Sequence, residues 1–233
     1  MKLLLISNST NAGEEYLRYP LPEIGRFLDG VRELVFVPYA AVTFSYAAYE
    51  AKVQARLAEL GIRVRSVHRS KNPAREIRDA EAICVGGGNT FALTKKMQEQ
   101  GLMQAILRKI KAGTPYVGWS AGSNVACPTI CTTNDMPIVQ PESFRAIGAV
   151  KFQINPHYLD ANPAGHAGET REQRILEYIA ANPRRWVVGL REGCMLRYEE
   201  GRLELLGKRP MRIFKHGRDP FEVNPGEELD FLL

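Results

Sequence analysis

Pro115-Tyr-Val-Gly-Trp-Ser-Ala-Gly-Ser-Asn124 reads as a strand that breaks abruptly into a helix. Tyr116 and Val117 are the aromatic and β-branched types that suit a buried strand. The small residues that follow open a helix over 123–126. Between them, Gly118-Trp-Ser-Ala-Gly122 has the G-x-S-x-G spacing of a nucleophile elbow. A serine displayed at a strand tip sits on a crowded turn, so the positions two before and two after it must be small for neighbouring backbone to pass. The helix beyond points free N–H groups and its positive dipole end back at the serine, where the oxyanion of acyl transfer forms. A plain strand-to-helix turn with a buried serine shares this pentapeptide, so the surrounding chain must separate the two readings.

Working outward, continuous apolar runs at 3–6, 34–37 and 82–85 alternate with helical spacing at 21–28, 46–60, 74–80, 91–98 and 102–112. Residues 62–67 alternate apolar and basic side chains, the mark of a strand with one wet face. This order predicts a three-layer α/β fold, a mostly parallel sheet with helices on both faces. Past the elbow, 152–157 predicts a strand stopping at Pro156, 169–180 a helix and 186–190 a buried strand. Residues 194–233 alternate short apolar runs with turns, which predicts antiparallel hairpins at one edge. No linker, repeat or low-complexity segment interrupts the chain, so residues 1–233 read as one domain.

Composition excludes several classes. The 233 residues are 45% hydrophobic and 24% charged, with a net charge of +5, ordinary values for a globular protein. The densest basic group, Arg63, Arg65, His68, Arg69, Lys71 and Arg75, is split between a strand and a loop and reads as a solvated face, not a nucleic-acid surface. The N-terminal apolar run is only four residues, a strand and not a signal peptide. No run approaches membrane-spanning length. The four cysteines, Cys84, Cys127, Cys131 and Cys194, lack zinc-site spacing and read as reduced thiols. The expected setting is the cytoplasm.

A serine nucleophile needs a base, and the base needs an orienting acid. Of four histidines, His68 and His216 fall at surface positions and His166 in a glycine loop; His157 alone leaves a strand end in a direction set by Pro156. Two acids compete to orient it: Asp135 in a polar loop soon after the elbow, and Glu192 at the end of a buried strand. Gly86-Gly-Gly88, at a strand-to-helix turn, leaves backbone N–H groups bare for an anion. No P-loop lysine follows it. Arg171 and Arg174 stand in the first turns of a helix, where the dipole disfavours cations, and so hint at an anionic ligand.

These blocks together resemble the peptidase E, or α-aspartyl dipeptidase, family, whose relatives include cyanophycinase. The resemblance rests on Ser7-Asn-Ser-Thr10, Val85-Gly-Gly-Gly-Asn-Thr-Phe91, Gly118-Trp-Ser-Ala-Gly-Ser-Asn124, Cys127-Pro-Thr-Ile130, Thr132-Thr-Asn-Asp-Met-Pro-Ile-Val139, Gln153-Ile-Asn-Pro-His157 and Gly168-Glu-Thr-Arg-Glu-Gln-Arg174, in one order up to Gly193. The last forty residues match least. The resemblance implies a sheet similar to that of class I glutamine amidotransferases and a serine hydrolase of dipeptides with N-terminal aspartate. It implies Ser120 as nucleophile, His157 as base and Asp135 as the acid, with Glu192 as rival. It further implies Gly88 and Ala121 as oxyanion-hole donors and Arg171 as the partner of the substrate carboxylate. No metal or cofactor, membrane or nucleic acid is expected; a small acidic dipeptide is the expected partner, and a homodimer is compatible. Ser123 departs from the family's commoner alanine. Two other readings are a related hydrolase of acidic amides, cyanophycinase-like, and a non-catalytic binder of acidic peptides.

Overall fold

The computed structural model describes residues 1–161, 165 and 167–233. The apolar runs of the first half lie side by side as β1 (Lys2–Ile6), β2 (Glu33–Val37), β3 (Arg63–Ser66), β4 (Ile83–Val85) and β5 (Pro115–Trp119), each parallel to its neighbours. Between them run α1 (Leu21–Phe27), α2 (Tyr46–Leu57), α3 (Pro73–Asp79), α4 (Thr90–Glu99) and α5 (Leu102–Lys111). The elbow helix α6 is short, Ala121–Asn124. Then follow β6 (Gln153–Tyr158), α7 (Arg171–Ala181), β7 (Trp186–Arg191), β8 (Met195–Glu199), β9 (Arg202–Leu206), β10 (Met211–Lys215) and β11 (Arg218–Val223).

Side chains that alternate along a strand explain why these runs are apolar throughout. On one face, Leu4, Ile6, Leu34, Phe36, Val117 and Trp119 meet Ile24 and Phe27 of α1 and Val53 and Leu57 of α2. On the other, Leu3, Leu5, Val35, Val37 and Val85 meet Ile77, Leu93, Met97, Ile106 and Ile110 from α3 to α5. Each such fully buried side chain contributes roughly 1.5–3 kcal/mol.

The mostly parallel sheet has the order β3-β2-β4-β5-β1-β8-β9, with the β8–β9 hairpin antiparallel at the β1 edge. The remaining C-terminal strands join a second sheet, β11-β10-β7-β6, in which only β6 and β7 run parallel. The hairpins expected at one edge are therefore shared between two sheets. Buried residues of the second sheet, Ile154, Val188, Leu190 and Ile213, belong to the same core as α3 to α5. Among the described residues no helix is long and apolar enough to cross a membrane.

Candidate active site

The elbow is crowded, as its pattern predicts. Ser120 directly follows β5 with φ 52 and ψ −112, a strained conformation for a residue with a Cβ. A Cβ on Gly118 would lie 2.6 Å from the carbonyl carbon of Gly122, and one on Gly122 would collide with the Val85 carbonyl. The Ser120 N–H donates to Ile6 O at 3.0 Å, tying the turn to β1. The Ser123 hydroxyl, the departure from family pattern, shares its one proton between Ile6 O and Gly118 O, at 2.7 and 2.8 Å, and is wholly buried. It staples the elbow.

His157 arrives from the second sheet. The expected end of the strand at Pro156 is corrected: β6 continues to Tyr158 with His157 inserted as an extra residue. Pro156 pairs with Leu190 and Tyr158 with Arg191, so His157 has no partner in the ladder. Its φ is +53. A bulge of this kind re-aims a side chain, and this one brings His157 Nε2 to 3.0 Å from Ser120 Oγ. The other ring nitrogen, Nδ1, lies 2.6 Å from Glu192 Oε1. Ser120, His157 and Glu192 thus form one continuous line of hydrogen bonds.

Asp135, expected in the acid position, makes its hydrogen bonds away from His157. Its Oδ2 accepts from the Thr90 N–H at 2.7 Å, the Thr90 hydroxyl at 2.6 Å and the Thr133 hydroxyl at 3.1 Å. A carboxylate at the N-terminus of α4 is favoured by the unpaired amides and the dipole there. Asp135 therefore holds its loop on α4, and Glu192 holds His157.

Two residues that the sequence reading left unassigned hold the line of hydrogen bonds in place. Ser7, fully buried at the end of β1, accepts from the His157 N–H at 2.9 Å and donates to Leu190 O at 2.7 Å. Asn8 accepts from the Gly193 N–H at 2.9 Å. Ile6, Ser7 and Asn8 thus touch the backbone at or next to Ser120, His157 and Glu192. The signal for them was in the sequence, as polar residues directly after an apolar strand at the carboxyl edge of the sheet.

Gly86, Gly87 and Gly88 turn beside the serine. A Cβ on Gly87 would lie 2.9 Å from Ser120 Cβ, and Gly88 has φ +134 against the Ala40 carbonyl. The backbone N–H groups of Gly88 and Ala121 have no hydrogen-bond acceptor among the described residues.

A cavity of about 220 Å³ is lined in part by Thr133, Asn134, Asp135, Asn155, Arg171 and Arg174. Arg171, the first residue of α7, donates to Asn134 Oδ1, which also accepts from Asn155 Nδ2 at 2.6 Å. No carboxylate pairs with Arg171 among the described residues. Burial disfavours its charge, Arg174 adds repulsion and Asp135 partly opposes them. The planar fork of a guanidinium suits bidentate contact with a carboxylate.

The other histidines stand apart. His68 Nδ1 lies 2.6 Å from Ser66 Oγ, remote in the fold from the elbow, and His216 is exposed. His166 lies outside the described residues. Among the described residues no group of three or more His, Cys, Asp or Glu side chains is arranged to hold a metal ion. All four cysteines are free.

The model of peptidase family S51 matches residues 3–206. Peptidase E of Nostoc sp. strain PCC 7120 is 48% identical over 233 residues, covering 100% of this chain and 96% of the relative. Peptidase E of Citrobacter koseri is 46% identical over 226 residues, covering 97% and 99%. Among solved structures, a peptidase from an acI-B1 Actinobacterium superposes with a TM-score of 0.72 at 18% identity, covering 98% of this chain and 96% of the other.

Proposed function

The chain belongs to peptidase family S51, and on that premise we propose that residues 1–233 act as one serine peptidase unit that hydrolyses dipeptides with an N-terminal aspartate, Asp-X. The observation that carries the reading is His157, with Nε2 at 3.0 Å from Ser120 Oγ and Nδ1 at 2.6 Å from Glu192 Oε1.

In this reading Ser120 Oγ attacks the aspartyl carbonyl while His157 Nε2 takes its proton. Glu192 keeps the Nδ1 proton in place, fixes the tautomer and stabilises the imidazolium. The oxyanion is met by the N–H groups of Gly88 and Ala121; one such donor is worth about 2.7–4 kcal/mol in comparable sites. His157 then returns the proton to the leaving amine, and water, activated by the same base, releases aspartate from the acyl-enzyme. Arg171 receives the aspartate side chain as a bidentate pair. Asparagine in that position would leave a half-buried guanidinium without a counter-charge, so discrimination follows from the unpaired cation.

The test is release of aspartate from Asp-Leu and of nitroaniline from Asp-p-nitroanilide, with Ser120→Ala as control. Hydrolysis lost in the variant is expected. Full activity in Ser120→Ala, or none in the wild type, removes the reading. Preference for a longer acidic amide would redirect it to a cyanophycinase-like substrate, and binding without turnover to a non-catalytic role.

A further inference from the structure

Tyr49 belongs to α2, is 3% exposed, and takes no part in the steps above. Its hydroxyl donates to Gly87 O at 2.8 Å and accepts from Trp119 Nε1 at 3.1 Å. Both partners adjoin the reaction centre. Trp119 directly precedes Ser120, and Gly87 shares a peptide bond with Gly88.

That peptide bond is the reason the contact matters. The chain has no cis peptide among the described residues, and in a trans peptide the C=O and N–H point in opposite directions. A phenol that holds Gly87 O on the α2 side therefore turns the Gly88 N–H to the opposite side. Three successive glycines cannot set this orientation themselves, because each populates both signs of φ with little penalty. Gly86 instead makes room for the phenol: a Cβ there would lie 2.6 Å from Tyr49 Oη. The ring is fixed by edge contacts with Phe36 and Phe44, at centroid distances of 5.0 and 5.2 Å.

Resting on the serine-peptidase reading, we propose that Tyr49 is a positioning residue for the oxyanion hole, holding the Gly87–Gly88 peptide so that the Gly88 N–H faces the nucleophile. The dipoles Trp119 N–H, Tyr49 O–H and Gly87–Gly88 amide align head to tail, and each hydrogen bond in such a chain polarises the next. Burial pushes the Tyr49 phenol up to about 12, so it remains a donor at neutral pH.

The experiment compares wild type with Tyr49→Phe, which keeps the ring and removes one oxygen. On Asp-p-nitroanilide, kcat falls by about tenfold or more with KM unchanged, since an interaction formed in the transition state is weakened. The ¹⁵N and ¹H resonances of the Gly88 amide shift in labelled full-length protein. Trp119→Phe, which removes the indole donor together with part of the ring, gives a smaller fall of the same kind and serves if Tyr49→Phe does not fold. An unchanged kcat, an unmoved Gly88 resonance, or a rise in KM alone overturns the proposal. A wild type that neither cleaves Asp-X nor reacts with a fluorophosphonate at Ser120 removes the serine-peptidase reading instead. One that reacts with the phosphonate but spares Asp-X removes only the substrate, and the phosphonylation rate then replaces kcat in the comparison.

Discussion

Glu192 reaches His157, at 2.6 Å, because β6 carries one residue more than β7 in the stretch where they pair. Without the bulge, His157 would sit in the ladder opposite Arg191, and its side chain would follow the pleat. The inserted residue turns the imidazole toward Ser120 and Glu192 together. The first prediction separates the two acids considered for this role. Glu192→Ala should lower kcat by orders of magnitude with little change in KM, as loss of an orienting acid does. Asp135→Ala should instead raise KM more than it lowers kcat, because Asp135 carries the loop whose Asn134 holds Arg171. Steady-state kinetics on one Asp-X substrate decides, and a larger kcat loss for Asp135→Ala would reverse the assignment.

Much of this was legible beforehand, and the reason is local. Strands covered on both faces must be apolar throughout, so 3–6, 34–37 and 82–85 announced themselves, and the elbow's glycines follow from backbone passing close by. The choice between Asp135 and Glu192 was not local. Both occupy polar segments beyond strand ends, and what separates them is a one-residue register shift between β6 and β7, whose paired residues Pro156 and Leu190 lie far apart in sequence. Tyr49 was equally hidden: nothing in the helical spacing sets it apart, and only its contact with Gly87 distinguishes it. The sharing of the C-terminal hairpins between two sheets depends on other long-range pairings, β8 with β1 and β10 with β7.

The Arg171 cavity makes a prediction about recognition. Lys retains the charge but lacks the planar fork. Arg171→Lys should lower kcat/KM for Asp-X by at least about tenfold, the loss of one charge-assisted hydrogen bond. It should also narrow the preference for Asp-X over Asn-X. The ratio of kcat/KM values for the two substrates is the measurement; an unchanged ratio would place the aspartate side chain elsewhere.

Ser7 makes a prediction about support. Its hydroxyl is the acceptor for the His157 N–H, at 2.9 Å, and a donor to Leu190 O, at 2.7 Å. Ser7→Ala leaves both backbone groups unpaired in a buried place, which costs about 1–3 kcal/mol. It also frees a non-glycine residue from a positive φ that costs of order 1–2 kcal/mol to hold. The variant should unfold earlier in urea and, while still folded, show a lower kcat at constant KM. A drop in stability with kcat intact would make Ser7 a structural residue only.

A final prediction concerns acid. Arg191, immediately before Glu192, is 5% exposed; it pairs with Asp160 and contacts Glu222 at 2.7 and 2.9 Å. Hydrogen bonds from Arg191 hold both carboxyl groups below their usual range. A carboxyl depressed on folding contributes stability that is present above its unfolded value, roughly 4, and is lost as pH falls through its folded value. The network joins the residue before Glu192 to a residue just beyond His157, so its loss in acid loosens the second sheet where it carries the site. Both carboxylates are partly exposed, so salt should weaken the effect. Glu222→Gln should therefore lower Tm more at pH 7 than at pH 3, with the gap closing as the wild-type carboxyl protonates. Calorimetry across that range tests it, and a Tm difference independent of pH would mean that packing, and not charge, is what Glu222 contributes.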